Sequence, residues 1–170
     1  MSPSIRSILV PTDFSSTSDV AIDYATTLAA SLRATVHLIH VLDPLVSSQM
    51  PWEAQTETAA RHERLYQTGR ARLAVLSATI DERRVQATSE VRSGAPATEI
   101  AHAAADYGAD LIVMATHGRT GLPHLLLGSV AEHVIRHTTC PVLVVRDDGT
   151  QRLSLAIVDG CEYVSRMSVA

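Results

Sequence analysis

The residues best suited to do chemistry lie in one segment, ATHGRTGLPHLLLGS, from Ala115 to Ser129. Nine residues separate Gly118 from Gly128 there, and Ser129 opens a stretch with helical spacing. The first N–H groups of a helix lack partners within it, and the helix dipole places positive charge beside them. Glycine lets a ligand approach such a backbone closely. This segment therefore predicts a phosphate site at a helix start, with His117 and Arg119 as further donors.

The same helix start has a second interpretation. Ser129 and Glu132 have the spacing of a capping box, in which the two side chains satisfy the first N–H groups of their own helix. Taken alone, this spacing favours capping. The phosphate-binding interpretation is favoured by the combination of two glycines, Arg119, a position at a strand end and an aspartate expected nearby, Asp13.

Short β-branched segments alternate with longer segments of helical spacing, which is typical of βα units. Strands are predicted at 7–10, 34–42, 84–91, 110–115 and 141–145. Helices are predicted at 17–32, at about 53–80, from Pro96 to near Gly108, and at 129–137. Right-handed crossovers then most readily give an open, doubly wound, Rossmann-like α/β sheet of five parallel strands with helices on both faces, for which we expect the order 3-2-1-4-5.

Ligands bind such a sheet beyond the carboxyl ends of its strands, at the point where the strand order reverses. In the order 3-2-1-4-5 this switch point lies between the first and fourth strands. Pro11-Thr12-Asp13 follows the first strand, and the segment from Ala115 to Gly118 follows the fourth. The topology thus expects a site at these residues. For Asp13 an alternative is a turn aspartate that binds neighbouring backbone amides.

Several classes of function are disfavoured by what the sequence lacks. All 14 basic residues are Arg, so a P-loop with its phosphate-binding lysine is excluded. Neither Gly-x-Gly-x-x-Gly nor Gly-x-Ser-x-Gly occurs, which argues against a nicotinamide-dependent enzyme and an α/β-hydrolase. The net charge of −4 argues against nucleic-acid binding. His133 and His137 share a helix face, but no further ligand is expected to complete a metal site there.

The cellular setting follows from cysteine usage and hydropathy. Two cysteines, Cys140 and Cys161, are too few for a disulfide framework, and we expect both to be free thiols. No apolar run has the length of a membrane span or of a signal peptide core. We therefore expect a cytoplasmic protein with one domain at 1–146 and a C-terminal extension at 147–170. The extension would be an extra edge strand, a dimer arm or a disordered tail.

From Ser7 to Val145 the chain resembles the universal stress protein family. Three segments carry the resemblance: ILVPTDFSSTSDVAIDYA, VHLIHVLD and MATHGRTGLPHLLLGSVAEHVIRHTTCPVLVV. In members that bind nucleotides the loop reads Gly, two residues, Gly, nine residues, Gly, then Ser or Thr. Ala115 stands at the first of these glycines. Its methyl group would crowd a ligand, and a positive φ at this position would cost alanine about 1 kcal/mol.

The resemblance implies a stress-response regulatory protein that binds ATP, ADP or AMP, with or without Mg²⁺, and has little or no catalysis. The alternatives are slow ATP hydrolysis, with Asp13 or Glu132 holding a metal ion, and action through protein contacts without a nucleotide. The resemblance also implies a homodimer formed through the fifth strand, from Pro141 to Val145. The residues it implies at the ligand are Pro11, Thr12, Asp13, Val41, Met114, Ala115, His117, Gly118, Arg119, Gly128, Ser129, Val130 and Ala131.

Overall fold

The structure of the chain is a computed structural model that describes residues 4–43, 52–115, 128–147, 153–159 and 162–169. Its strands are β1 (Ser7–Pro11), β2 (Thr35–Leu42), β3 (Ala87–Ser93), β4 (Leu111–Ala115), β5 (Val142–Asp147), β6 (Leu153–Asp159) and β7 (Glu162–Val169). Its helices are α1 (Ser16–Leu32), α2 (Trp52–Glu82), α3 (Pro96–Asp106) and α4 (Ser129–His137).

All the strands belong to one sheet. β1 to β5 are parallel and lie in the order 3-2-1-4-5, which confirms the predicted fold class. β6 pairs antiparallel with β5, and β7 pairs antiparallel with β6. β5 therefore has a neighbour on each side and is not the edge strand that the order 3-2-1-4-5 predicts. Leu153, Leu155 and Ile157 alternate along β6, a pattern suited to pairing at a sheet edge.

Two apolar cores lie on opposite faces of the sheet. Successive residues of a strand point to opposite faces, so Ile8 and Val10 belong to one core and Leu9 to the other. α1 and α2 cover the first core, which we call the α1-side core. α3 and α4 cover the second, the α3-side core, which includes Ile100 and Val134. Helices thus cover both faces, as the sequence predicts.

The helix ends follow the expected local signals. Ser15 caps α1, because its Oγ accepts a hydrogen bond from the Ser18 backbone N–H at 3.3 Å. Pro96 opens α3, where its missing N–H costs nothing. The predicted start of the third strand at Arg84 is wrong. Arg84 has φ of 60° and its N–H donates to the Asp81 carbonyl oxygen, so it belongs to the turn that ends α2.

None of the helices that the structure describes combines the length and the hydrophobicity needed to cross a lipid bilayer.

His37 lies on the α3 face of β2 and makes two side-chain contacts. Its Nδ1 is 2.7 Å from the Thr88 Oγ1, and its ring stacks on Tyr107 with 4.3 Å between ring centroids. Burial lowers the pKa of His37, because the charged imidazolium would lose contact with water. The fold therefore favours the neutral form of His37.

This pKa shift predicts a pH dependence of stability. Near pH 6.5 the unfolded chain binds a proton at His37 more readily than the folded chain, so acidification favours unfolding. The free energy of unfolding should fall as the pH is lowered from about 7 to 5. Urea denaturation across this range should give a smaller fall for His37→Gln than for the wild-type chain. His102→Gln, which removes a mostly exposed imidazole from α3, is the control. Equal slopes for both variants would contradict this assignment.

Candidate functional site

A cavity of about 270 Å³ lies beyond the carboxyl ends of β1, β2 and β4. It is close to the lower end of the range for small-molecule pockets, roughly 300–1,000 Å³. β1 and β4 are neighbours in the sheet, so the cavity is at the switch point where the sequence predicts a site. Its walls are formed by Pro11, Thr12, Asp13, Ser18, Ile39, His40, Val41, Pro96, Ile100, Met114, Ala115, Gly128, Ser129, Val130 and Ala131.

Every predicted site residue that the structure describes lines this cavity. Four segments bring them together: the end of β1, the end of β2, the end of β4 and the start of α4. The remaining predicted residues, His117, Gly118 and Arg119, lie in 116–127, outside the described residues. The described residues among those predicted are thus distant along the chain and close in space.

Asp13 sits in the turn between β1 and α1. Its Oδ1 accepts hydrogen bonds from the backbone N–H of Ser15 at 3.0 Å and from the Ser15 hydroxyl at 2.5 Å. Thr12, which is 5% exposed, shares a hydrogen bond with the Ser18 hydroxyl at 3.0 Å. Asp13 therefore makes the local contacts expected of a turn aspartate, and it also forms part of the cavity wall.

The start of α4 differs from a capping box by one residue. Gly128 is the N-cap, with φ of −59° and ψ of 149°, and Ser129 is the first helical residue. A capping box needs Ser at the N-cap and Glu at the third helical position, whereas Glu132 is at the fourth. The capping interpretation is therefore wrong. Gly128 has no side chain and therefore cannot cap the first N–H groups of α4. The residues at this helix start line the cavity.

Glu132 has another partner. Its Oε1 is 2.8 Å from the Nη2 of Arg136, one turn further along α4, on an exposed face. It does not line the cavity. The metal-holding role that slow hydrolysis would give to Glu132 is thus not matched by its position.

Ala115 is the last residue of β4 and pairs with Val145 of β5. Among the described residues, the non-glycine residues with positive φ are Phe14, Arg33 and Arg84. Ala115 therefore has ordinary strand geometry, and the left-handed strain that would have penalised it is not present. Its methyl group packs against the α1-side core. Any effect of Ala115 on a ligand is therefore steric and comes from the space that its methyl group occupies.

Sequence reasoning missed several residues of the wall, of which His40 is the most polar. His40 Nδ1 donates a hydrogen bond to the Thr12 carbonyl oxygen at 2.7 Å. β2 lies beside β1, so its carboxyl end reaches the same crevice. That adjacency was available from the predicted strand order. Pro96 and Ile100 could have been found similarly, because α3 begins where β3 ends.

Comparison with known proteins identifies the family. The model of the universal stress protein family matches residues 4–146 of this chain. The chain belongs to the universal stress protein family. Universal stress protein MJ0531 of Methanocaldococcus jannaschii is 40% identical over 141 residues, which are 83% of this chain and 82% of that protein.

Solved structures agree with this assignment. The structure of hypothetical protein MJ0577, from the same organism, has a TM-score of 0.75 at 29% identity and covers 86% of this universal stress protein and 99% of that chain. A universal stress protein from Archaeoglobus fulgidus, solved in complex with dAMP, has a TM-score of 0.55 at 20% identity. That alignment covers 84% of this chain and 98% of the other, and it shows a shared fold. β6 and β7 lie beyond the residues that match the family.

Proposed function

We propose that this universal stress protein binds an adenine nucleotide in the cavity at the switch point and acts in the cytoplasm as a regulatory binding protein in the stress response. The observation that carries the proposal is that the start of α4, whose N-cap Gly128 provides no side-chain cap, and the turn that holds Asp13 line the same cavity. The first can take an anion and the second can take N–H donors. An adenine nucleotide offers both.

The phosphates would lie at the start of α4. The cavity wall includes the N-cap and the first residues of α4, which are Gly128, Ser129, Val130 and Ala131. The positive end of the helix dipole therefore faces the cavity. No lysine exists in the chain, so backbone N–H groups and arginine would carry the phosphate charge. His117, Gly118 and Arg119 enter the proposal from the sequence pattern alone.

The base and ribose would lie on the strand ends. Ile39, Val41, Ile100 and Met114 provide apolar surface in that part of the wall, where an aromatic base loses little by leaving water. Each carboxylate oxygen can accept more than one hydrogen bond, so the contacts of Asp13 to Ser15 are compatible with contacts to a ligand. The universal stress protein from Archaeoglobus fulgidus, with the same fold, was solved with dAMP.

ATP, ADP and AMP are all candidate ligands. Asp13 is the one carboxylate among the described residues of the cavity wall. Mg²⁺ prefers oxygen ligands and is often bound through substrate phosphates with one or two carboxylates. Any Mg²⁺ would therefore arrive with the phosphates of the nucleotide, and this sparse set of polar groups suits binding better than hydrolysis.

The main experiment measures nucleotide binding directly. The purified chain is denatured, released nucleotide is chromatographed, and ATP is titrated into nucleotide-free protein by calorimetry. We expect an adenine nucleotide, and about a ten-fold or greater loss of affinity in Asp13→Ala, which is typical of losing a hydrogen bond to a charged group. Gly128→Val should bind still more weakly, because a branched side chain would stand at the helix start.

Asp19→Ala is the matched control. It removes a carboxylate from the first turn of α1, outside the cavity wall, and should bind ATP as the wild type does. Absence of both released nucleotide and ATP-binding heat would overturn the proposal. Steady phosphate release by the wild type, above that of Asp13→Ala, would favour slow hydrolysis instead.

Ala115→Gly should strengthen ATP binding. Since Ala115 has strand geometry, the glycine relieves no strain and acts by removing a methyl group from the cavity wall. It should also lower the free energy of unfolding by roughly 0.5–1 kcal/mol, because glycine is more flexible in a strand. Calorimetry and urea denaturation measure the two effects. Weaker binding in Ala115→Gly would show that the methyl group supports the ligand.

We also propose a homodimer, whose formation depends on whether β6 stays paired with β5. A dimer through the strand from Pro141 to Val145 needs the edge of β5 that β6 occupies in the same chain. A chain truncated after Asp147 should therefore dimerise more strongly than the full chain, as measured by light scattering over a concentration series. If the full chain dimerises and the truncated chain is a monomer, the dimer instead depends on β6 and β7.

A further inference from the structure

Phe14 has an unusual backbone conformation. Its φ is 62°, in the left-handed region that a bulky side chain rarely adopts. Arg33 and Arg84, which share this conformation, each lie at the end of a helix, where a left-handed residue is common. Phe14 instead precedes a helix, in the turn between β1 and α1. Helix termination therefore does not explain its conformation.

The aromatic ring of Phe14 is held between two elements. Its centroid is 4.4 Å from that of the His40 ring on β2, and the guanidinium carbon of Arg72 on α2 is 4.1 Å from it. An arginine over an aromatic face is an attractive cation–π contact. The backbone N–H of Phe14 also donates to the Thr12 Oγ1 at 3.0 Å. Contacts with the sheet and with α2 thus stabilise a conformation that the backbone alone would avoid.

These contacts fix the residues on either side of Asp13. On one side, His40 Nδ1 holds the Thr12 carbonyl oxygen. On the other, the same imidazole packs on the Phe14 ring, and the Arg72 guanidinium lies over that ring. Asp13 has little freedom to turn away from the cavity while both contacts persist. Arg72 itself does not line the cavity, so it can affect the site only through Phe14 or through its charge.

We propose that Phe14 is a positioning residue that holds Asp13 in the cavity wall, and that the Arg72 contact couples α2 to nucleotide binding. This inference rests on the proposed function. Coupling is reciprocal, so a nucleotide that contacts Asp13 stabilises the packing of α2 on Phe14, and loss of that packing weakens the nucleotide. α2 is thereby the element through which occupancy of the cavity could reach a partner.

The experiment titrates ATP into the full chain and its variants by calorimetry. Phe14→Leu should lower the affinity about ten-fold, and Phe14→Tyr, which keeps the ring, should restore it. Arg72→Gln should lower the affinity about three-fold, in keeping with an exposed cation–π contact. Arg70→Gln is the control, because it makes the same charge change two residues away, about 200° around the helix. It should bind as the wild type does.

Two comparisons separate positioning from other roles. In the Asp13→Ala background, Arg72→Gln should cause no further loss of affinity if its effect passes through Asp13. A persisting three-fold loss would mean that the Arg72 charge acts on the phosphates directly, which overturns the proposal. In urea denaturation, Phe14→Gly should be at least as stable as Phe14→Ala, the reverse of the usual order, because glycine accepts the positive φ.

Failure of this inference is distinguishable from failure of the proposed function. If the wild-type chain binds no ATP, both fail. If it binds ATP and Phe14→Leu binds equally well while unfolding at lower urea, Phe14 is structural and only the positioning role fails.

Discussion

The reversal of strand order between β1 and β4 is the constraint on which the rest of this molecule depends. From β1 the chain crosses through α1 to one side of the sheet, and from β4 it crosses through α4 to the other side. α1 and α4 cover opposite faces of the sheet. They therefore lead away from each other beyond the ends of β1 and β4, and a crevice is left between them. The turn that follows β1 and the start of α4 reach this crevice as a consequence of topology.

The chemistry of the crevice follows from what ends there. Strands and helices both present unsatisfied backbone groups at their ends, and among the described residues of the wall Asp13 is the one carboxylate. The apolar part of the wall is a continuation of the two cores, with Met114 from the α3-side core and Ala115 packed against the α1-side core. A ligand with one apolar and one anionic end therefore matches the cavity better than a uniformly charged one.

The sequence predicted those features that periodicity and local signals control. Buried parallel strands read as short apolar runs, so the strands and the helices between them could be predicted from the pattern, whereas the order 3-2-1-4-5 was taken from the topology of doubly wound sheets. The N-cap of α4 could not, because Gly128 and Ser129 are both good cap residues and a shift of one position separates them. Phe14 was missed for another reason. Its backbone conformation depends on contacts with residues far away along the chain, which no local pattern encodes.

β6 changes how the fifth strand can interact with another chain. An open edge strand invites pairing with a second copy, and β6 satisfies that edge within the chain. Only residues 148–152 separate β5 from β6. A tether this short gives β6 an effective concentration on the order of millimolar beside β5. A second copy at micromolar concentration cannot displace β6 by backbone pairing alone, since the same hydrogen bonds are available to both. Pairing between chains at β5 therefore requires additional contacts beyond the edge itself.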